Sequence, residues 1–197
     1  MKHLVLAAAV LAAPFLAPSH ADACAMRKRE AVVVAKVAKP AQTLADGRAA
    51  ELRGEVHTAI RIYEAIMNAP GASEERADAA LAAARLLAAD RQSARAVARA
   101  QKAVGFAPKD ANAQLLLGEL MVGEEAGRAM AHLKKAEALG GADPMRLALA
   151  QARAYVAFGD AENARAQLDK ARELGAPTAD IAAIELGMNP AKVASKT

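Results

Sequence analysis

From about residue 40 onward, Ala-rich apolar positions recur among charged ones at intervals of three and four, the stride that gathers side chains on one face of an α-helix. The stretch "AYVAFGDAENARAQLDKARELGAP" (residues 154–177) holds two such runs, with a Gly-Asp turn between them and a Gly-Ala-Pro stop after the second. The same pattern returns along the chain. Ala59, Ala96, Ala129 and Ala164 are each followed four residues later by Tyr63, Ala100, Leu133 and Leu168, and seven residues later by Ile66, Ala103, Ala136 and Ala171. Each set lies on one helical face. The starting alanines stand 37, 33 and 35 residues apart, a period found in helical-repeat arrays.

A second helix precedes each of these. Its marker is a small residue, Gly47, Ala84, Gly118 or Ala152, that lets a neighbouring helix pack against the backbone. Three markers stand twelve residues before the aligned alanine and the third stands eleven before it, which predicts an inter-helix turn around "MVGEEAGR" shortened by one residue. Gly54 and Gly159 supply turns, and Pro70, Pro108 and Pro177 fall near unit ends, where a helix must stop.

These residues resemble the tetratricopeptide repeat family, whose units are antiparallel helix pairs of about 34 residues. Residues 40–177 carry about four units. The fourth matches best, through Tyr155, Gly159, Asp160, Ala164, Leu168 and Ala171, and the second through Leu87, Ala96, Ala103 and Pro108. The chain departs from the pattern at Arg91, which stands where the family has a turn glycine, and no tryptophan opens any unit. The resemblance implies an all-α fold, a right-handed α-solenoid of about four such units in which stacking covers apolar faces that no single pair can bury. Residues 178–187, "TADIAAIELG", read as a capping helix with Thr178 as N-cap and Gly187 as stop, followed by a flexible tail over 188–197.

The N-terminal part differs. "MKHLVLAAAVLAAPFLAPSHADA" has a basic start, an apolar run from Leu4 to Ala13 and small residues at Ser19, Ala21 and Ala23, the design of a secretory signal peptide over residues 1–21. The run is broken by Pro14 and Pro18 and is too short to span a bilayer. Cys24, the one cysteine, lies beside the cleavage site. Two readings stay open: lipidation of Cys24, against which Asp22 is out of place, and an unpaired thiol able to bridge only between molecules. Residues 22–39 form a basic leader of unassigned structure, with Arg27, Lys28, Arg29, Lys36 and Lys39 around "AVVVAKVA".

Composition narrows the chemistry. The 197 residues are 54% hydrophobic but 3% aromatic, and alanine accounts for 57 of them; alanine favours helix and close helix packing, while the scarcity of aromatics disfavours base-stacking platforms. The net charge of +4 is too small to imply nucleic acid as partner. After signal removal only His57 and His132 remain, in separate units, so no Cys-His pair or metal-ligand cluster is available, and no phosphate-cradling or nucleophile-elbow motif occurs. "SEER" (Ser73–Arg76) and "GEE" (Gly123–Glu125) read as helix-start and turn charges. The expectation is a non-enzymatic protein without cofactor or metal.

The binding surface implied by the resemblance is the face lined by the first helix of each pair. Leu44, Leu81, Leu115 and Leu149 stand three residues before the markers, and Arg48, Arg85, Glu119 and Arg153 one residue after them. Leucine and charged residue are thus four apart on one face in every unit, which suits a peptide held by apolar contact and by arginine–carboxylate pairs. The same stride also describes leucines buried between units and arginines in water, and the sequence leaves both open. Lys109 and Asn112 do not reproduce the family's carboxylate clamp. These observations lead to an expected exported, periplasmic adaptor that holds partner proteins during assembly of an envelope machine. The alternatives are a lipoprotein pilot, anchored through Cys24, like those of Tad-type pilus or secretion systems, and an envelope glycan-binding protein or enzyme.

Overall fold

The computed structural model describes residues 42–188. The expected signal peptide over residues 1–21, the leader over 22–39 with Cys24, and the tail beyond Met188 lie outside the described residues. Those described form nine helices and no strand: α1 (Leu44–Leu52), α2 (Val56–Asn68), α3 (Ser73–Ala89), α4 (Ser93–Phe106), α5 (Ala111–Met121), α6 (Ala126–Leu139), α7 (Pro144–Ala157), α8 (Ala161–Glu173) and α9 (Thr178–Met188). Each helix packs on the next in chain order. The closest pairings are α3 with α4, α5 with α6 and α7 with α8; α2 packs more extensively on α3 than on the short α1, and α9 lies on both α7 and α8.

Local signals set the helix starts. Thr43 closes a capping box with Asp46, whose backbone N–H reaches the Thr43 hydroxyl at 3.3 Å while the Thr43 N–H donates to the Asp46 carboxylate at 2.9 Å. Aspartates 110, 143 and 160 cap α5, α7 and α8 by accepting from backbone N–H groups that have no intrahelical partner, and Pro144 occupies the first turn of α7, where its missing N–H costs nothing. Glu74 and Glu75 of "SEER" fall in the first turn of α3, favourably placed against the helix dipole.

The stops are equally local. α6 ends at Gly140, also at positive φ (+70°), and four other helices share one stop geometry built on a residue at positive φ: Gly54 (+73°), Arg91 (+58°), Gly159 (+75°) and Gly175 (+82°). In each of these four that residue's N–H bonds back three positions and the next N–H bonds back five, as in Glu55 to Ala50, Gln92 to Leu87, Asp160 to Tyr155 and Ala176 to Ala171. This Schellman geometry satisfies the last carbonyls and needs the left-handed region, where a Cβ is strained. Arg91 is the one non-glycine at positive φ among the described residues. Arg91→Gly is therefore expected to stabilise the fold by about 0.5–1 kcal/mol after allowing for the entropy glycine adds to the unfolded chain. A urea midpoint that does not rise would show that the strain is absent.

Two expectations are corrected in detail. The third unit is one residue short, but not in its turn. α5 ends three residues past its marker Gly118, whereas α1, α3 and α7 run five past theirs, and the linker 122–125 is one residue longer than the linkers inside the other three pairs. That linker closes through Glu125 N–H to Met121 O at 2.8 Å, without a left-handed residue. Thr178 is the first helical residue of α9 rather than its cap, because the Pro177 carbonyl already accepts from Asp180 and Ile181, and Gly187 lies inside the helix.

The four aligned alanines, the residues four and seven positions after them, and the four small markers are all buried. Ala59, Ala96, Ala129 and Ala164 are fully inaccessible, as are Ala84 and Ala152. A Cβ on Gly47 would fall within 2.9 Å of three carbons of the Tyr63 ring, and one on Gly118 would fall 2.6 and 2.7 Å from Leu133. The markers are thus the points where the two helices of a pair touch backbone to side chain. In α3, Ala79, Ala80, Ala83 and Ala84 are all inaccessible, since this helix is covered by α2, α4 and α5 and a larger side chain would hold those helices apart. The core passes along the chain through overlapping apolar clusters rather than gathering in one centre, as expected where contacts link neighbours only.

Candidate functional site

A groove of about 340 Å³ opens where α1, α3 and the start of α5 face one another. Leu44, Arg48 and Glu51 line it from α1, Asp78, Leu81, Ala82 and Arg85 from α3, and Asp110 and Asn112 from the α5 N-terminus; Tyr63 of α2 forms part of its wall. Leu44 and Ala82 are half-buried, and Leu81 is nearly covered at 5% exposure. Arg48, Arg85 and Asp78 are exposed, and none has an ion-pair or side-chain hydrogen-bond partner among the described residues. Asp110 accepts from the Asn112 N–H at 2.8 Å, which orients its carboxylate at the groove edge. The Tyr63 hydroxyl donates to Glu51. Burial first, then that bond, pushes the Tyr63 phenol well above its ordinary range, so it stays protonated as a donor.

The predicted site residues part company here. Leu44, Arg48, Leu81 and Arg85 meet around the groove. Leu115 is inaccessible and packs with Met130, Leu133 and Leu147, and Leu149 is covered by α9 through Ile181 and Ile184. Glu119 is engaged by Arg146, whose Nη2 and Nε donate to the two carboxylate oxygens at 2.6 and 3.2 Å. Arg153 is exposed on α7, away from the groove lining. Sequence reasoning did not select Glu51, Asp78, Asp110 or Arg146. A signal for two of these was present nonetheless: Asp78 and Arg146, like Asn112, each stand three residues before a repeat leucine.

The second helices are joined by their own polar contacts. Glu64 of α2 accepts from Arg99 and Arg95 of α4 at 2.6 and 3.3 Å, and Lys170 of α8 lies 3.6 Å from Glu137 of α6. Arg99 is thus spoken for, whereas Arg165 is exposed on α8 without an ion pair among the described residues. Buried Gln114 of α5 donates from Nε2 to the Pro108 carbonyl at 3.0 Å, leaving its Oε1 to accept from His132 Nδ1 at 2.8 Å. Burial, then the charges of Arg128 and Lys135, lower the His132 pKa and keep the ring neutral in this structural role.

No family model matches the chain, and no curated protein matches it at a significant level.

Proposed function

We propose that the protein is a non-enzymatic, exported adaptor of tetratricopeptide type, a right-handed stack of about four helix pairs capped by α9, and that it holds a partner protein through the groove of its first three first-helices. The observation that carries this reading is the meeting of Arg48 and Arg85, both without an ion-pair partner among the described residues, beside the apolar positions Leu44 and Ala82. An unpaired guanidinium in a partly enclosed groove binds a carboxylate through two parallel hydrogen bonds and gains more from doing so than one in open water. Export rests on the signal-like residues 1–21, and the place in an envelope assembly follows from the expected compartment.

Arg48→Glu combined with Arg85→Glu is expected to weaken partner binding by about 1–3 kcal/mol, the scale of charge-assisted hydrogen bonds, with the helical circular dichroism unchanged. Arg165→Glu serves as the control. A photo-crosslinking residue placed at position 82 should capture a partner in the native envelope, and the adduct should fade in the double variant only. Equal capture from positions 82 and 165, or an adduct indifferent to the two reversals, would move the binding surface elsewhere.

A further inference from the structure

The three junctions between consecutive first helices use the same two register positions. One lies four residues after the repeat leucine and the other three residues before the next: Arg48 with Asp78, Arg85 with Asn112, and Glu119 with Arg146. At the third junction the two side chains close on each other as a two-pronged ion pair, with Glu119 only 18% exposed. At the first two junctions the corresponding residues stay apart and border the groove, where the Asp110 carboxylate adds acceptor capacity beside Asn112. The groove lining reaches no further along the chain than Asn112. The chain therefore occupies the third junction with its own acid and base and leaves the first two for a ligand.

We infer that the Glu119–Arg146 pair is the end wall of the groove, and that the groove selects a short peptide segment of mixed charge. This inference rests on the groove reading above. Such a segment supplies an acidic side chain to Arg48 or Arg85 and a basic one to Asp78 or Asp110, repeating from outside the pairing that Glu119 and Arg146 make within the chain. A uniformly acidic segment would satisfy the arginines but bring like charges against Glu51, Asp78 and Asp110, a mismatch that costs specificity and affinity. Two junctions span three helices packed about 8–10 Å apart, roughly 20 Å in all, which an extended chain covers with about six residues.

The test is selection from displayed random peptides of two lengths, one of about six residues and one twice that, on the intact exported protein. The wild type should enrich sequences that pair an acid with a base, with no advantage for the longer set. Glu119→Ala leaves Arg146 half-exposed rather than buried unpaired, so the fold should survive. It should make the longer peptides bind about tenfold tighter than the shorter ones. Glu119→Arg with Arg146→Glu rebuilds the wall with its charges exchanged and should restore the wild-type length preference. If Glu119→Ala loses helical signal, Glu119→Gln weakens the pair with less disturbance and takes its place. Enrichment of uniformly acidic or uniformly basic sequences, or a length preference unchanged in the opened variant, overturns this inference and leaves the groove reading standing. Absence of any enrichment at either length removes both.

Discussion

Leu133→Ala is expected to lower stability by about 2–5 kcal/mol, the range for removing a fully buried leucine and leaving a cavity. Leu133 is inaccessible in α6, packed with Leu115, Met130, Ala136 and Leu147. One side of its site cannot close in, because Gly118 opposite has no side chain to fill the space. The same contact yields a sharper test. In the wild type, Gly118→Ala sets a Cβ 2.6 Å from a Leu133 methyl carbon and should destabilise, since overpacking costs about 1–3 kcal/mol against about 1 kcal/mol gained from replacing a mid-helix glycine. In the Leu133→Ala background the clash is gone, and only the Ala129 carbonyl at 3.2 Å must give way slightly, so the same change should stabilise. Chemical denaturation of the four proteins measures the coupling. Additive effects would mean that the two helices do not meet at this point.

Tyr63→Ala is expected to be comparably severe, at about 3–5 kcal/mol. The ring is 1% exposed and lies on the bare backbone of Gly47, inside the cluster that ties α1 and α2 to α3 and α4. α1 has nine residues, too few to persist as an isolated helix, so loss of the ring should release α1 before the rest of the stack. Hydrogen exchange is the direct measurement: amides of α1 should lose protection first, taking with them Leu44 and Arg48, one side of the groove. Tyr63→Phe separates packing from polarity. It removes only the bond to exposed Glu51 and should cost about 1 kcal/mol or less. A Phe variant as damaged as the Ala variant would mean that the hydroxyl, not the ring, holds α1 in place.

The helices and turns were legible in the sequence because their causes are local. Thr43, Asp110, Asp143 and Asp160 begin helices by satisfying N–H groups within three residues, and Gly54, Gly159 and Gly175 end them at a backbone conformation that other residues resist. The rows of small and apolar residues were legible for a similar reason, since a stride of three and four states which face is buried. Where the missing residue of the third unit falls was not legible, because a turn can lengthen while the helix before it shortens, and the net spacing records only their sum.

The candidate site shows the division most clearly. The leucine row and the charged row share one stride, and by itself the sequence determined that they would lie on one face of the first helices. Burial along that row is decided by what packs on it. Leu149 is covered because α9 returns against α7, Leu115 because Met130, Leu133 and Leu147 surround it, and Leu44 is only half-covered among the described residues. Whether a charged residue is free likewise depends on which side chain the next unit presents. Arg146 meets Glu119, while nothing described meets Arg48 or Arg85. Periodicity is a property of one helix, whereas coverage and pairing belong to two, so the groove and its end wall emerge only once the units are stacked.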